Sequence, residues 1–247
     1  MKPAVLTRDD DGARRYVAPL ADLGLIVVPT PVTETVPASP EDRALLAAAC
    51  RGATFDWVLV ASARAVGPLV DAGGPGHAKV LAIGPATADE LAAHAISAEW
   101  KGGTAAAAAD ELIARGAKRV LVPRAEGGRD DALERLEAAG IETVPIVAYR
   151  TLTRAADDPS LQIGLDLVAH RKAAVIALFA PSQVSALAEL LAARGESIRA
   201  IDHAVVAAIG PTTAAALAEH GIRAAAVAAS PDPAAMASAL ASVYPNR

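Results

Sequence analysis

The sequence has few of the residue types on which covalent frameworks, thiolate metal sites and stacking surfaces depend. Its 247 residues include one cysteine, Cys50, which excludes an internal disulfide framework and a structural zinc site of thiolates. Aromatic residues make up 3% of the chain, which disfavours nucleic-acid binding by base stacking. The formal net charge is -5 without a long run of like charges, which argues against a surface for a phosphate backbone.

Segments that direct a chain to or across a membrane are also missing. No apolar run reaches the roughly 18 residues that a membrane-spanning helix needs. Residues 1–15, MKPAVLTRDDDGARR, lack the apolar stretch of a secretory signal peptide. We therefore expect a cytoplasmic protein that neither spans a membrane nor is anchored to one.

Sequence signals for a bound metal or nucleotide are absent as well. No cluster of His, Cys, Asp or Glu has the spacing of metal ligands. Neither a G-x-x-x-x-G-K-[ST] loop nor a G-x-G-x-x-G motif after a strand occurs. We expect a protein without a metal or a cofactor.

Short β-rich runs alternate with longer helical stretches along the whole chain. The predicted strands are Ala4–Thr7, Leu25–Pro29, Trp57–Ala61, Lys79–Ile83, Arg119–Val122, Thr143–Ala148, Ala174–Phe179 and Ala204–Ile209. Helical segments lie between them, such as Ala13–Leu23 and Ser185–Arg194. This alternation predicts an α/β fold with parallel sheets that helices cover on both faces.

The chain also repeats about half of itself. VLTRDDDGARRYVAPLADLGLIVVP at 5–29 is similar to VLVPRAEGGRDDALERLEAAGIETVP at 120–145, and LAIGPATADELAAHAI at 81–96 to AAIGPTTAAALAEHGI at 207–222. The duplication predicts two lobes but leaves their wiring open. Consecutive units could pair, or the N-terminal unit could pack with the C-terminal half. Two extended, proline-interrupted segments favour the second arrangement, because each could run from one lobe to the other; they are 25–36 and 143–153.

Two Ile-Gly-Pro-x-Thr-Ala turns are the first candidates for ligand binding. In each, Gly84 or Gly210 precedes a predicted helix whose free backbone N–H groups can bind an anion, and Thr87 or Thr213 adds a hydroxyl. A plain strand-to-helix turn capped by threonine would have the same sequence. Both turns follow strands, where ligands gather in folds of this class, which favours binding.

Arginines form a second set of candidates. Arg8 and Arg124 each follow the first strand of a repeat, and Arg129 lies in the Gly-Gly-Arg turn that opens the next helix. The planar guanidinium group binds carboxylates and phosphates through paired hydrogen bonds. Solvated surface arginines would give the same pattern.

Hydroxyl groups beside predicted strands form a third set. Ser62 with Arg64, and Ser182 with Gln183, follow buried strands, but no G-x-S-x-G motif or Asp–His partner surrounds them. They are better interpreted as donors to a ligand or as helix caps than as nucleophiles. Tyr149 lies on a predicted inter-lobe strand, where its hydroxyl could donate to a leaving group or its ring could simply pack.

Taken in order, these segments resemble the uroporphyrinogen-III synthase family. The resemblance covers nearly the whole chain. It is carried by VLTR near the start, LGLIVVPTPVTE at 23–34, DWVLVASARAV at 56–66, LAIGPATADEL at 81–91, RVLVPRAEGGRDDALERLEAAGIETVPIVAYRT at 119–151, ALFAPSQVSAL at 177–187 and AAIGPTTAAAL at 207–217.

The resemblance implies two flavodoxin-like lobes joined by a two-stranded linker. On this chain the first lobe would comprise 1–32 plus 153–247, the second 36–148, and the linker strands 33–35 and 149–152. It also implies a cofactor-independent lyase of haem biosynthesis. Such an enzyme closes hydroxymethylbilane to uroporphyrinogen III, with loss of water and inversion of the last pyrrole ring.

The resemblance further implies roles for individual residues. Tyr149 matches the family's tyrosine proposed to help the hydroxyl leave. The positions that match the family's substrate-binding threonines and serines are Thr87, Thr212, Thr213, Ser62 and Ser182. The expected partner is a small polycarboxylate with no nucleic acid or membrane, and we expect a monomer. The alternative is a non-enzymatic cytosolic two-lobed protein that binds an anionic metabolite.

Overall fold

The computed structural model describes residues 1–52, 54–101, 104–128 and 130–244. Its strands are β1 (Lys2–Leu6), β2 (Leu25–Pro29), β3 (Thr33–Pro37), β4 (Trp57–Val60), β5 (Lys79–Ile83), β6 (Glu99–Lys101), β7 (Arg119–Ala125), β8 (Glu142–Thr153), β9 (Val175–Leu178), β10 (Val205–Ala208) and β11 (Ala226–Val227). Strands and helices alternate, which confirms the α/β prediction.

The helices differ widely in length. They are α1 (Asp10–Arg14), α2 (Val17–Ala21), α3 (Pro40–Gly52), α4 (Val66–Asp71), α5 (Pro85–Ala93), α6 (Ala105–Ala114), α7 (Asp131–Ala138), α8 (Pro159–Ala169), α9 (Pro181–Ala193), α10 (Pro211–Glu219) and α11 (Pro233–Ala241). Two 3-10 helices span Ala63–Ala65 and Ile198–His203. Within the described part of the chain, no helix is long and apolar enough to cross a membrane.

The chain divides into two compact units. Unit 1 comprises Met1–Glu34 and Leu152–Arg247, and unit 2 comprises Thr35–Thr151. The strands β3 and β8 each run across one of the two boundaries. Unit 1 is therefore assembled from two separate segments of the chain, whereas unit 2 is continuous.

The sheet of unit 1 has the strand order β11-β10-β9-β1-β2, with parallel pairing. Ala4 of β1 pairs with Val27 on one side and with Val175 on the other. Ala4–Leu6 and Val175–Leu178 are buried, as expected for central strands with helices on both faces. In this order the direction of strand succession reverses between β1 and β9, where α/β folds bind ligands.

The second sheet has the order β3-β8-β7-β4-β5-β6. The pairs of β4 with β5 and β7, of β5 with β6, and of β7 with β8 are parallel. Trp57–Val60 is buried throughout. The order of succession reverses here between β7 and β4, so the equivalent ligand position lies at the carboxyl ends of those two strands.

The segment predicted as one helix over Ala13–Leu23 forms two short helices instead. The helix α1 ends at Arg14, and α2 begins at Val17 after the fully buried Tyr16. Proline lacks an N–H and clashes with a preceding helical turn, so a helix accepts it only in the first turn. Pro19 is the third residue of α2, and a new helix start at Val17 places it there.

One close contact between α8 and the end of β2 leads to a stability prediction. A Cβ atom at Gly164 would lie 2.6 Å from Cγ2 and 2.7 Å from Cβ of Thr30, which is fully buried. We expect Gly164→Ala to lower the free energy of unfolding by about 1–3 kcal/mol, the usual cost of overpacking. Denaturant unfolding measures this change.

Gly67 of α4 provides the matched control. Nothing lies within 4 Å of a Cβ atom built at Gly67. Alanine there is expected to stabilise the protein by about 0.5–1 kcal/mol, because glycine loses more backbone entropy on folding. Equal unfolding free energies for the two variants would contradict the close contact at Thr30.

Candidate functional site

The predicted site residues lie at the carboxyl ends of strands in both sheets. Those of unit 1 are Arg8, Ser182, Gln183, Gly210, Thr212 and Thr213. Those of unit 2 are Ser62, Arg64, Gly84, Thr87, Arg124 and Tyr149. Arg129 lies outside the described residues. Within each unit they follow strands that are neighbours in the sheet, apart from Arg124, which lies near the end of β7, and Tyr149, which lies within β8.

Two aromatic rings hold Arg8 at the end of β1. The guanidinium carbon lies 4.8 Å from the ring centroid of Phe179 and 5.7 Å from that of Tyr16. The two rings meet edge to face with their centroids 5.0 Å apart. Nη1 of Arg8 also donates a hydrogen bond to the Tyr16 hydroxyl at 3.3 Å. We call these three residues the Arg8 cluster.

The described residues do not neutralise the charge of the Arg8 cluster. No carboxylate among the described residues pairs with Arg8, which is half-buried. Burial raises the pKa of the Tyr16 phenol above its ordinary value, although Arg8 partly opposes this shift. Tyr16 therefore stays neutral, so it positions Arg8 without cancelling the guanidinium charge that an anion would meet.

Gln183 stabilises the Arg8 cluster through hydrogen bonds to the chain on either side of it. Its Oε1 accepts hydrogen bonds from the Thr7 hydroxyl at 2.6 Å and from the Phe179 N–H at 2.9 Å. Thr7 and Gln183 are 1% and 7% exposed. The sequence predicts Gln183 as a hydrogen-bond donor to a ligand. In the structure its amide oxygen accepts hydrogen bonds from Thr7 and Phe179, which follow β1 and β9. Thr7, Tyr16 and Phe179 carry no signal in the sequence alone, because their contact is made only when these strands pair.

Arg124 occupies the equivalent position in unit 2 but is paired within its own loop. Its Nη1 lies 2.5 Å from the Asp130 carboxylate, and its Nη2 donates to the Gly128 carbonyl oxygen. These contacts close the turn between β7 and α7. A ligand carboxylate would have to compete with Asp130 for this guanidinium group, whereas at Arg8 it would not.

The two Gly-Pro turns differ in backbone conformation. Gly84 has a φ of +83°, in the left-handed region that favours glycine. Gly210 has a φ of 179°, which is extended backbone that any residue adopts. Both precede a helix with proline in its first turn, as helix N-termini prefer. The first N–H groups of α5 and α10 have no partner within their helices and can meet an anion.

The hydroxyl groups beside these turns fall into two kinds. Thr87 and Thr213 are the third residues of α5 and α10, are 4% and 1% exposed, and do not act as caps. Neither side chain has a hydrogen-bond partner within the described part of the chain. Thr212 and Ser182 are the second residues of α10 and α9 and are exposed. Thr212 and Ser182 are therefore the hydroxyls that are accessible to a ligand.

A cavity of about 210 Å³ opens at the carboxyl ends of β7 and β4. Its lining includes Ser62, Arg124 and Tyr149. The Ser62 hydroxyl accepts a hydrogen bond from the Arg64 N–H at 3.3 Å and caps the 3-10 helix that follows β4. This cavity brings together three of the predicted residues of unit 2.

Tyr149 borders this cavity and a second, larger one. Its side chain is 7% exposed and packs in the apolar core with Leu46 and Ala148. It pairs with Ala125 of β7 at a register shift in the ladder. The larger cavity, of about 600 Å³, lies beside α3 and α4 and also includes Arg64 in its lining. A phenol between two cavities can donate a proton or a hydrogen bond to a departing group.

The chemistry available at both sheet edges consists of hydrogen-bond donors. They are guanidinium groups, hydroxyls and backbone N–H groups at helix starts. In the part of the chain that the structure describes, no three His, Cys, Asp or Glu side chains converge as metal ligands. The arrangement can bind an anion with several negatively charged groups.

The chain is similar to known proteins in sequence and in fold. A family model described as uroporphyrinogen-III synthase HemD matches residues 14–238. The structure is similar to a uroporphyrinogen-III synthetase from Helicobacter pylori, with 19% identity over 98% of this chain and 100% of that one and a TM-score of 0.66. It is also similar to a mutant uroporphyrinogen III synthase from Thermus thermophilus, with 20% identity over 96% of each chain and a TM-score of 0.60. No curated protein sequence matches the chain. At such low identity the two solved structures show a shared fold.

Proposed function

Because the chain belongs to the uroporphyrinogen-III synthase family, we propose that it cyclises hydroxymethylbilane to uroporphyrinogen III, with loss of water and inversion of the last pyrrole ring. The reaction is that of a carbon–oxygen lyase. The observation that carries the proposal is the family match over residues 14–238. The guanidinium, hydroxyl and backbone N–H donors of each sheet edge can bind the carboxylates of the substrate.

Binding depends on local donors rather than on the net charge of the protein. The substrate carries eight carboxylates, while the protein has a net charge of -5. In unit 1 the guanidinium of Arg8 and the first turn of α10 offer positive potential, and in unit 2 the first turn of α5 does. Thr212 and Ser182 add hydroxyl donors in the first turns of α10 and α9 of unit 1.

The chemistry requires little from side chains beyond orientation. A pyrrole nitrogen supplies the electron pair that breaks the carbon–oxygen bond, and the departing oxygen takes the proton of the Tyr149 hydroxyl and leaves as water. The last pyrrole then attacks the resulting azafulvene through its own substituted ring carbon and forms a spiro intermediate. The bond from that carbon to the methylene of the third ring breaks, and the methylene rejoins the inverted ring at its unsubstituted carbon beside the nitrogen, whose proton is released and restores the Tyr149 hydroxyl. The protein holds the chain so that this closure is faster than the simple one.

The proposal is tested by the isomer that forms. Freshly generated hydroxymethylbilane is added to the protein, the reaction is quenched and oxidised, and the porphyrin isomers are separated by chromatography. We expect the type III isomer to dominate, because the free substrate closes without inversion to type I. Type I alone, from protein shown to be folded, would overturn the proposal and favour a non-enzymatic anion binder.

A further inference from the structure

The larger cavity of unit 2 has the character of a binding site. We call it the β8 cavity; it lies between β8 and the helices α3 and α4 and has a volume of about 600 Å³. This is within the range of about 300–1,000 Å³ that is typical of small-molecule sites. Leu46, Ala47, Ala72 and Ala148 make much of its lining apolar. A flat, uncharged ring would fit such walls.

The polar part of the β8 cavity is mainly basic. Arg43 and Arg64 line it, are both exposed, and pair with no carboxylate among the residues that the structure describes. Asp71 is the acidic residue in the lining, which leaves the three side chains with a net charge of +1. Several other arginines of unit 2 pair with carboxylates; they are Arg115, Arg119, Arg124 and Arg135. The two guanidinium groups at the cavity are thus available to an anionic ligand.

Tyr149 connects this cavity with the reaction. It contributes to the lining of the β8 cavity as well as to the smaller cavity at the ends of β7 and β4. Under the proposed function its hydroxyl assists the departure of the substrate's hydroxyl. A ring held in the β8 cavity would therefore lie beside the group that assists the carbon–oxygen bond to break.

We propose that the β8 cavity binds the terminal pyrrole of hydroxymethylbilane that carries the hydroxymethyl group. This inference rests on the proposed function. Eight carboxylates on four rings give two for each pyrrole, which matches the two arginines at the cavity. The apolar walls receive the ring, Arg43 and Arg64 bind its two carboxylates, and Tyr149 lies next to its hydroxymethyl group.

Filling the cavity provides the test. Ala44 lines it from α3 and is exposed, so that Ala44→Trp places an indole there without disturbing the core. We expect this variant to raise KM by about tenfold or more, because it removes binding of the substrate. Ala48→Trp is the matched control: Ala48 is exposed one turn further along α3 and does not line the cavity, so KM should not change.

A binding measurement gives a readout independent of turnover. A monopyrrole with one acetate and one propionate is titrated into isotope-labelled protein and followed by amide chemical shifts. We expect the amide resonances of Ala72 and Ala148 to shift on titration in the wild type and in Ala48→Trp, but not in Ala44→Trp. Shifts confined to unit 1, or no saturable shifts, would overturn the inference.

The two proposals can fail separately. A protein that forms type III isomer with the same KM in wild type and Ala44→Trp retains the proposed function but refutes the β8 cavity as a pyrrole site. A wild-type protein that forms only type I isomer refutes the proposed function and the inference with it. Circular dichroism of each variant shows that the fold is intact.

Discussion

Replacement of Tyr149 by phenylalanine is expected to lower kcat about 100-fold, at the lower end of the usual range for general acid catalysis. The change removes one hydroxyl and keeps the ring, which is 7% exposed and packed in the core of unit 2. The free energy of unfolding and KM should therefore change little. The effect should stay below a complete loss, because the pyrrole nitrogen still drives the oxygen out. Steady-state kinetics with fresh hydroxymethylbilane measures it.

Tyr244→Phe is the control for this substitution. Tyr244 packs against the core of unit 1, and it belongs to neither cavity that Tyr149 borders. Its variant should turn over like the wild type. An unaltered kcat in Tyr149→Phe would remove the proposed role of the hydroxyl, and an equal fall in both variants would show a general effect of losing a phenol.

Arg8→Gln is expected to raise KM about 10- to 100-fold, since a hydrogen bond to a charged group contributes about 1.5–3 kcal/mol. The Phe179 and Tyr16 rings hold Arg8 in place, and the described residues supply no carboxylate to compete with the substrate. The value of kcat should change little, because the contact is made equally in the ground state and the transition state. Initial rates over a range of substrate concentrations separate the two constants.

Two further variants distinguish positioning from charge. Tyr16→Phe keeps the ring beside Arg8 but removes the 3.3 Å hydrogen bond, so KM should rise less than in Arg8→Gln. Arg15→Gln removes the same charge from an exposed side chain nearby and should leave KM unchanged. If Arg124→Gln raised KM as much as Arg8→Gln, the Asp130 carboxylate would not keep Arg124 from binding the substrate.

The buried strands could be predicted from the sequence, because each combines an apolar run with turn residues at its ends. Leu25–Pro29 and Lys79–Ile83 are observed with the predicted bounds. Glu99–Lys101 and Ala226–Val227 were missed, since strands of 3 and 2 residues contain no recognisable run. They form at sheet edges, where the neighbouring strand provides the hydrogen bonds that define them.

The position of the candidate site was predictable, but its contacts were not. Arg8 and Arg124 stand at equivalent places in the repeat, so the sequence gives them the same role. Arg8 contacts Phe179, which follows the distant strand β9, whereas Arg124 pairs with Asp130 of its own loop. Likewise Thr87 and Thr213 share a motif with preceding glycines whose φ angles differ by almost 100°, +83° and 179°. Such differences arise from tertiary packing, which a local pattern does not contain.

The position of β1 inside the sheet of unit 1 has a consequence for synthesis on the ribosome. The partner β2 follows β1 after the two short helices α1 and α2, whereas β9 begins at Val175, about 140 residues after Glu34. At about 5–20 residues per second, the first strands wait about 7–30 seconds for their other neighbour. Unit 2 emerges completely during this interval. Nascent chains should thus contain a folded unit 2 while the edge of β1 that later pairs with β9 is still unpaired. A chaperone would bind this edge.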